Sequence, residues 1–196
     1  MTGEAIKSYY QRIEILDDAY EIPQLGRKRR ISVLLPHDYY NTDKHYPVLY
    51  LHDGQNLFDE YAPYGNWGID KSLEKLAKLG IGDVIIVDID HGGVLRIQEY
   101  LPYSTPRYTE AEGNLYIKFM LEDLMPKIAS KFRVMPGRSN TGIGGSSLGG
   151  LISLYAGFKY PQIFGNMMIF SPSLWISEEI YEMAYKYIPA GPTDIF

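Results

Sequence analysis

The feature that most constrains this chain is a glycine-rich turn, GIGGSSLGG at residues 142–150, set between two apolar segments. The segment before it, 141–146, is strand-like. The segment after it, 148–160, is apolar on nearly every side and is expected to be a buried helix. A phosphate loop of the Walker type needs Lys and then Ser or Thr after its last glycine, and here Leu151-Ile152 follow. A dinucleotide loop starting at Gly142 needs glycine at 147, where serine stands. A flexible linker does not join a buried strand to a buried helix. What remains is Gly145-Ser146-Ser147-Leu148-Gly149, the G-x-S-x-G pattern of a strand–turn–helix that holds a serine up as nucleophile. The bland alternative is a tight glycine turn with a solvent-facing serine.

The rest of the chain supplies a frame for such a turn. Residues 46–54 (YPVLYLHDG) and 83–90 (DVIIVDID) are continuous apolar runs ending in turn residues, as expected for strands buried on both faces. Residues 8–16 and 29–35 are β-branched and aromatic, and follow each other without a helix, so they are expected to form an antiparallel edge. Helices are expected at 69–79, 114–132 and 178–187, with Pro126 kinking the second. Residues 91–113 are a long polar segment, 166–170 a strand, and 193–196 the first residues of another. Strands alternating with helices from residue 46 onward predict an α/β fold: one domain over 1–196, with a mostly parallel sheet and helices on both faces.

Composition removes several function classes. The 196 residues include no cysteine, which excludes disulfides, thiolate zinc sites and a cysteine nucleophile. A net charge of −5 offers no attraction to nucleic acid or to an anionic membrane. The basic run Arg27-Lys28-Arg29-Arg30 leads into an apolar strand and is expected to be a solvated strand edge. The N-terminus lacks an apolar signal core, and no stretch is long enough to span a bilayer, so a cytoplasmic setting is the default expectation. The His, Asp and Glu residues show no metal-ligand spacing, so no metal and no cofactor is expected.

A serine nucleophile needs donors for the oxyanion that forms when it attacks a carbonyl. One should be the backbone N–H of Leu148, directly after Ser147, and the second should come from the loop after the earlier strand, where Gln55 is the choice. His52 and Asp53 look like a catalytic pair on paper. They adjoin each other at a strand end, where shaping the loop is the simpler role.

Four stretches, YPVLYLHDGQNLFD (46–59), RIQEYLP (96–102), GGSSLGG (144–150) and FSPSLW (170–175), resemble the esterase D and enterochelin-esterase-like family of α/β-hydrolases, in order, from about residue 30 to the end. The resemblance implies an α/β-hydrolase fold and a serine carboxylic-ester hydrolase acting on a small-molecule ester. Ser147 would be the nucleophile, with Gln55 and Leu148 as oxyanion donors. Trp175 would line the substrate cleft and Trp67 its rim, although either could instead be core packing. Arg96 is expected either to pair with Glu99 and brace its loop or to meet an anionic substrate.

One departure stands out. In this fold the triad runs Ser, acid, His along the chain, yet His37, His45, His52 and His91 all precede Ser147, and Asp194 is the only aspartate after it. Three explanations are open. The chain lacks C-terminal strands that carry the acid and histidine beyond residue 196. Or it is a shortened protein that binds a ligand without turning it over. Or His91 or His52 serves as base. The expected function is ester hydrolysis through an acyl-enzyme; the alternatives are a non-catalytic binding protein and an acyltransferase using the same nucleophile.

Overall fold

A computed structural model describes residues 8–58, 62 and 65–196. Residues 1–7 of the stretch searched for a signal core lie outside the described residues, as does Asp59 of the first motif. The described chain forms one seven-stranded sheet. Its strands are β1 (Arg12–Ile22), β2 (Arg27–Leu35), β3 (Val48–His52), β4 (Ile85–Ile89), β5 (Thr141–Ser146), β6 (Asn166–Phe170) and β7 (Asp194–Ile195). Their spatial order is β1-β2-β4-β3-β5-β6-β7. β1 and β2 pair antiparallel, and β2 runs antiparallel to β4. From β4 across to β7 every neighbour is parallel. The expected antiparallel edge and parallel body are both present.

Helices cover the sheet where its central strands, β3, β4 and β5, are buried along nearly their whole length. α1 (Ile69–Lys78) lies on one side, where Leu73 packs with Leu34, Leu51, Leu57 and Ile86. The larger core lies on the other. There α3 (Gly113–Phe119), α4 (Met125–Lys131) and α5 (Leu148–Lys159) send Tyr116, Ile128, Leu151 and Ile152 against Val33, Tyr50, Val87 and Ile143. α6 (Glu179–Lys186) adds Ile180. No helix of the described residues is long and apolar enough to cross a membrane.

Three local expectations are corrected. The first strand begins at Arg12, not Ser8, and runs on to Ile22, because shifts of register at Asp17 let its polar middle stay paired with β2. The polar segment 91–113 contains a short helix, α2 (Arg96–Tyr100). The basic run is only half solvated. Strand alternation turns Arg27 and Arg29 inward, to 20% and 10% side-chain exposure, where both bind the fully buried Glu99. Lys28 stays in solvent with Glu21. Pro126 sits at the start of α4. Having no N–H and a ring that crowds the carbonyl of residue 122, it is preceded by a widened π-helical turn, Met120–Leu124, that joins α3 to α4.

Candidate active site

Ser147 is the hinge between β5 and α5. Its φ of 58° and ψ of −119° are costly for a residue with a side chain. The neighbouring main chain holds them. The Ser147 N–H donates to the Phe170 carbonyl at 3.0 Å, and its own carbonyl accepts from the Ser173 and Leu151 N–H groups, each at 3.0 Å. Such a sharp turn brings the chain back on itself. A Cβ on Gly145 would stand 2.8 Å from the Gly149 carbonyl carbon, so residue 145 has room only for hydrogen. A Cβ on Gly149 would stand 3.1 Å from Asp53 Oδ2 and 3.2 Å from His52 Cβ. The G-x-S-x-G spacing thus follows from two close approaches. The serine between them is exposed at the strand's C-terminal end.

Leu148 opens α5, so its N–H has no acceptor within the helix, and the helix dipole adds positive potential there. The turn after β3 is built by Asp53, whose backbone is left-handed at φ 62° and ψ 48° and whose carbonyl accepts from Asn56 N–H at 2.9 Å. A short 3-10 turn, Gly54–Asn56, follows and carries Gln55 in its middle. The Gln55 side chain accepts from the His91 N–H at 3.0 Å and so ties this turn to the loop after β4.

A cavity of about 430 Å³ opens beside Ser147, lined by Asp53, Asn56, Trp67, His91, Arg96 and the serine itself, with Gly93 and Ser146 completing it. Trp67 stands edge-on to Phe170, ring centroids 5.5 Å apart. The structure therefore brings Ser147, Trp67 and Arg96 together. Trp175, on the turn Leu174–Ile176, is 72% exposed and is not among the residues lining this cavity.

Arg96 does not pair with Glu99. Its Nε donates to Asp53 Oδ1 at 2.6 Å and its Nη2 to Asp53 Oδ2 at 2.7 Å, and Nη2 also reaches the Ser146 carbonyl at 3.4 Å. Glu99 is held instead by Arg27, at 2.9 Å, and by Arg29. Sequence spacing suggested an i,i+3 pair, but the helix is one turn long and both partners come from other elements.

The structure also shows a residue that sequence reasoning missed. The Ser173 hydroxyl, almost fully buried, lies 3.0 Å from the Ser147 hydroxyl, with either able to donate. Its only signal was its place in FSPSLW.

Each nearby histidine has its Nδ1 engaged. His52 is sealed between Tyr100 and Tyr116, with Nδ1 3.0 Å from the Tyr116 hydroxyl. Burial pushes its pKa down to about 4, so it is neutral at pH 7. It and Asp53 shape the turn. His91 lines the cavity, but its Nδ1 accepts from the Gly93 N–H at 2.9 Å, which leaves the proton on Nε2. Burial also lowers its pKa, and Arg96 and Arg29 act in the same direction against Asp53 and Asp90. His91 is thus a neutral donor. Elsewhere, His37, Asp38 and Asp83 bring ligand atoms within 4.8 Å of one another. Lys44 already supplies the cation there, 2.6 Å from Asp38 and 3.8 Å from Asp83.

Comparison with known proteins agrees with this architecture. The model of the family described as "Putative esterase" matches residues 22–188, most of the chain. The chain belongs to this esterase family. The Bacillus subtilis protein YbbA is 25% identical over 174 residues, which cover 86% of this chain and 66% of YbbA. Esterase Rv1288 of Mycobacterium tuberculosis is 27% identical over 141 residues, covering 72% of this chain and 28% of that protein. The chain thus spans less than two thirds of the length of these curated relatives. Among solved structures, the BES protein from Bacillus cereus superposes with a TM-score of 0.73 at 21% identity, covering 100% of this chain and 76% of its own. Enterobactin esterase FES from Shigella flexneri gives 0.68 at 19% identity, covering 94% and 45%. At these identities the likeness establishes an α/β-hydrolase-like fold.

Proposed function

We propose that the esterase to which this chain belongs is a serine carboxylic-ester hydrolase of the enterochelin-esterase-like kind, acting on a small-molecule ester. The observation that carries this reading is the backbone of Ser147: a positive-φ serine at the end of a central strand, heading a helix, beside an open cavity. Strain of this kind persists only where its surroundings enforce it, and here it presents one hydroxyl.

In this mechanism Ser147 Oγ attacks the ester carbonyl, and the Leu148 and Gln55 N–H groups receive the developing oxyanion. The alcohol leaves, an acyl-serine remains, and water releases the acid. Trp67 borders the acyl or alcohol part, and Trp175 reaches the substrate from further out. A serine needs a base; His52 is buried between Tyr100 and Tyr116, and the His91 Nδ1 already accepts from the Gly93 N–H. On this reading the catalytic histidine and its carboxylate lie outside residues 1–196.

The test is pre-steady-state hydrolysis of p-nitrophenyl acyl esters by the natural full-length protein. The expected result is a burst of p-nitrophenol equal to the enzyme concentration, followed by slower turnover, because the acyl-enzyme forms and then hydrolyses in separate steps. Linear release without a burst, insensitive to added alcohols that would compete with water for the acyl group, would argue against the acyl-enzyme.

A further inference from the structure

We propose that Asp53 and Arg96 form a clamp that sets the two oxyanion donors at their working separation, so that both are positioning residues for the reaction at Ser147. The inference rests on the ester chemistry proposed above and adds roles for residues that chemistry does not itself require.

The geometry poses a specific problem. The Gln55 N–H rides on the turn after β3, and the Leu148 N–H on the helix after β5. These strands pair in parallel only as far as Leu51 opposite Gly144. Beyond that point the chains part, one into the turn and the other into the elbow, and strand pairing no longer fixes their spacing. The clamp bridges this gap. The Asp53 carboxylate accepts two nearly equal bonds from Arg96, and the same guanidinium reaches back to the carbonyl of Ser146, the residue before the nucleophile. The first turn of α5 closes on the carboxylate from below at Gly149.

The clamp is itself fixed. The Asp53 side chain is 8% exposed and that of Arg96 22%. The Arg96 guanidinium lies over the Tyr100 ring at 5.2 Å, on the same helix. Gln55 is anchored on its other side by the His91 N–H. The left-handed backbone of Asp53 is the joint on which the turn pivots. A planar guanidinium fixes direction as well as distance, which an ammonium does not. Arg96 is thus a spacer whose charge is already matched by Asp53.

The discriminating variant is Arg96→Lys in the natural full-length protein, with Asp53→Asn as a second in case the first does not fold. Each keeps a hydrogen bond and loses the two-pronged geometry. Since a displacement near 1 Å, or loss of one oxyanion donor, costs about 100-fold, we expect kcat to fall about 10- to 100-fold with KM within about threefold. Affinity for a tetrahedral mimic such as a boronic acid should fall by the same factor as kcat/KM, while affinity for the product carboxylate stays put. The double variant should be no worse than the poorer single one.

A raised KM with unchanged kcat would overturn the proposal and make Arg96 a substrate contact. A lowered melting temperature with unchanged kcat would overturn it in favour of a purely structural ion pair. Failure of the wild-type protein to hydrolyse any ester would be a different result. It would remove the ester reading, and the clamp with it.

Discussion

Replacing Ser147 with alanine is expected to lower ester hydrolysis by the natural full-length protein about 10⁴- to 10⁶-fold, the cost seen when a triad nucleophile is removed. The remainder reflects substrate binding and the oxyanion donors, which the substitution leaves in place. The fold should not notice the change. The Ser147 side chain is exposed, and its hydroxyl bonds the Ser173 hydroxyl. Alanine has the same Cβ at the same strained φ, so the strain is unaltered. Steady-state rates and a melting curve measured together check both halves. A rate within tenfold of wild type would remove Ser147 from the mechanism. A large drop in melting temperature would mean that the rate had been lost through unfolding.

The second large effect concerns stability. Glu99 is fully buried, and its carboxylate faces Arg27 and Arg29 from β2. Arg27 also bonds Glu112, just before α3. The set holds the edge hairpin to the helices that follow β4. Removing one member of a buried charge set leaves the others uncompensated, which costs about 3–5 kcal/mol. Glu99→Ala should therefore remove a large share of the 5–15 kcal/mol, roughly, that a domain of this size has available. Urea unfolding at pH 7 measures it. Replacing Glu99, Arg27 and Arg29 together by apolar residues of similar length should recover most of the loss, since the charges are then absent instead of unpaired. A cost below about 1 kcal/mol for Glu99→Ala would show that solvent reaches the guanidiniums and that the set is closer to a surface network.

The residues themselves explain which parts of the fold could be foreseen. The central strands were legible because an uninterrupted apolar run such as 46–52 has few other uses. The helix after Ser147 was legible for the same reason. The elbow could be foreseen in part because Gly145 answers to a contact four residues away, at Gly149, whereas Gly149 itself answers to His52 and Asp53 far upstream.

What could not be foreseen depends on partners far along the chain. Arg96 meets Asp53, 43 residues away, and Glu99 meets Arg27 and Arg29 across 72 and 70 residues. Nothing in RIQEYLP says which carboxylate its arginine takes. α2 itself was missed because its five residues bury only Glu99 and Tyr100 and show no apolar period. Ser173 reaches Ser147 only because the chain after β6 folds back over the elbow. Burial lowers the pKa of His52, and the rings packed against it, Tyr100 and Tyr116, lie 48 and 64 residues downstream.

The most direct measurement is mass mapping of peptides after the natural full-length protein is treated with a fluorophosphonate. The account predicts one adduct, on Ser147, slowed by ester substrate and lost in Ser147→Ala. An adduct on another serine, or ester hydrolysis that continues with Ser147 unlabelled, would contradict it.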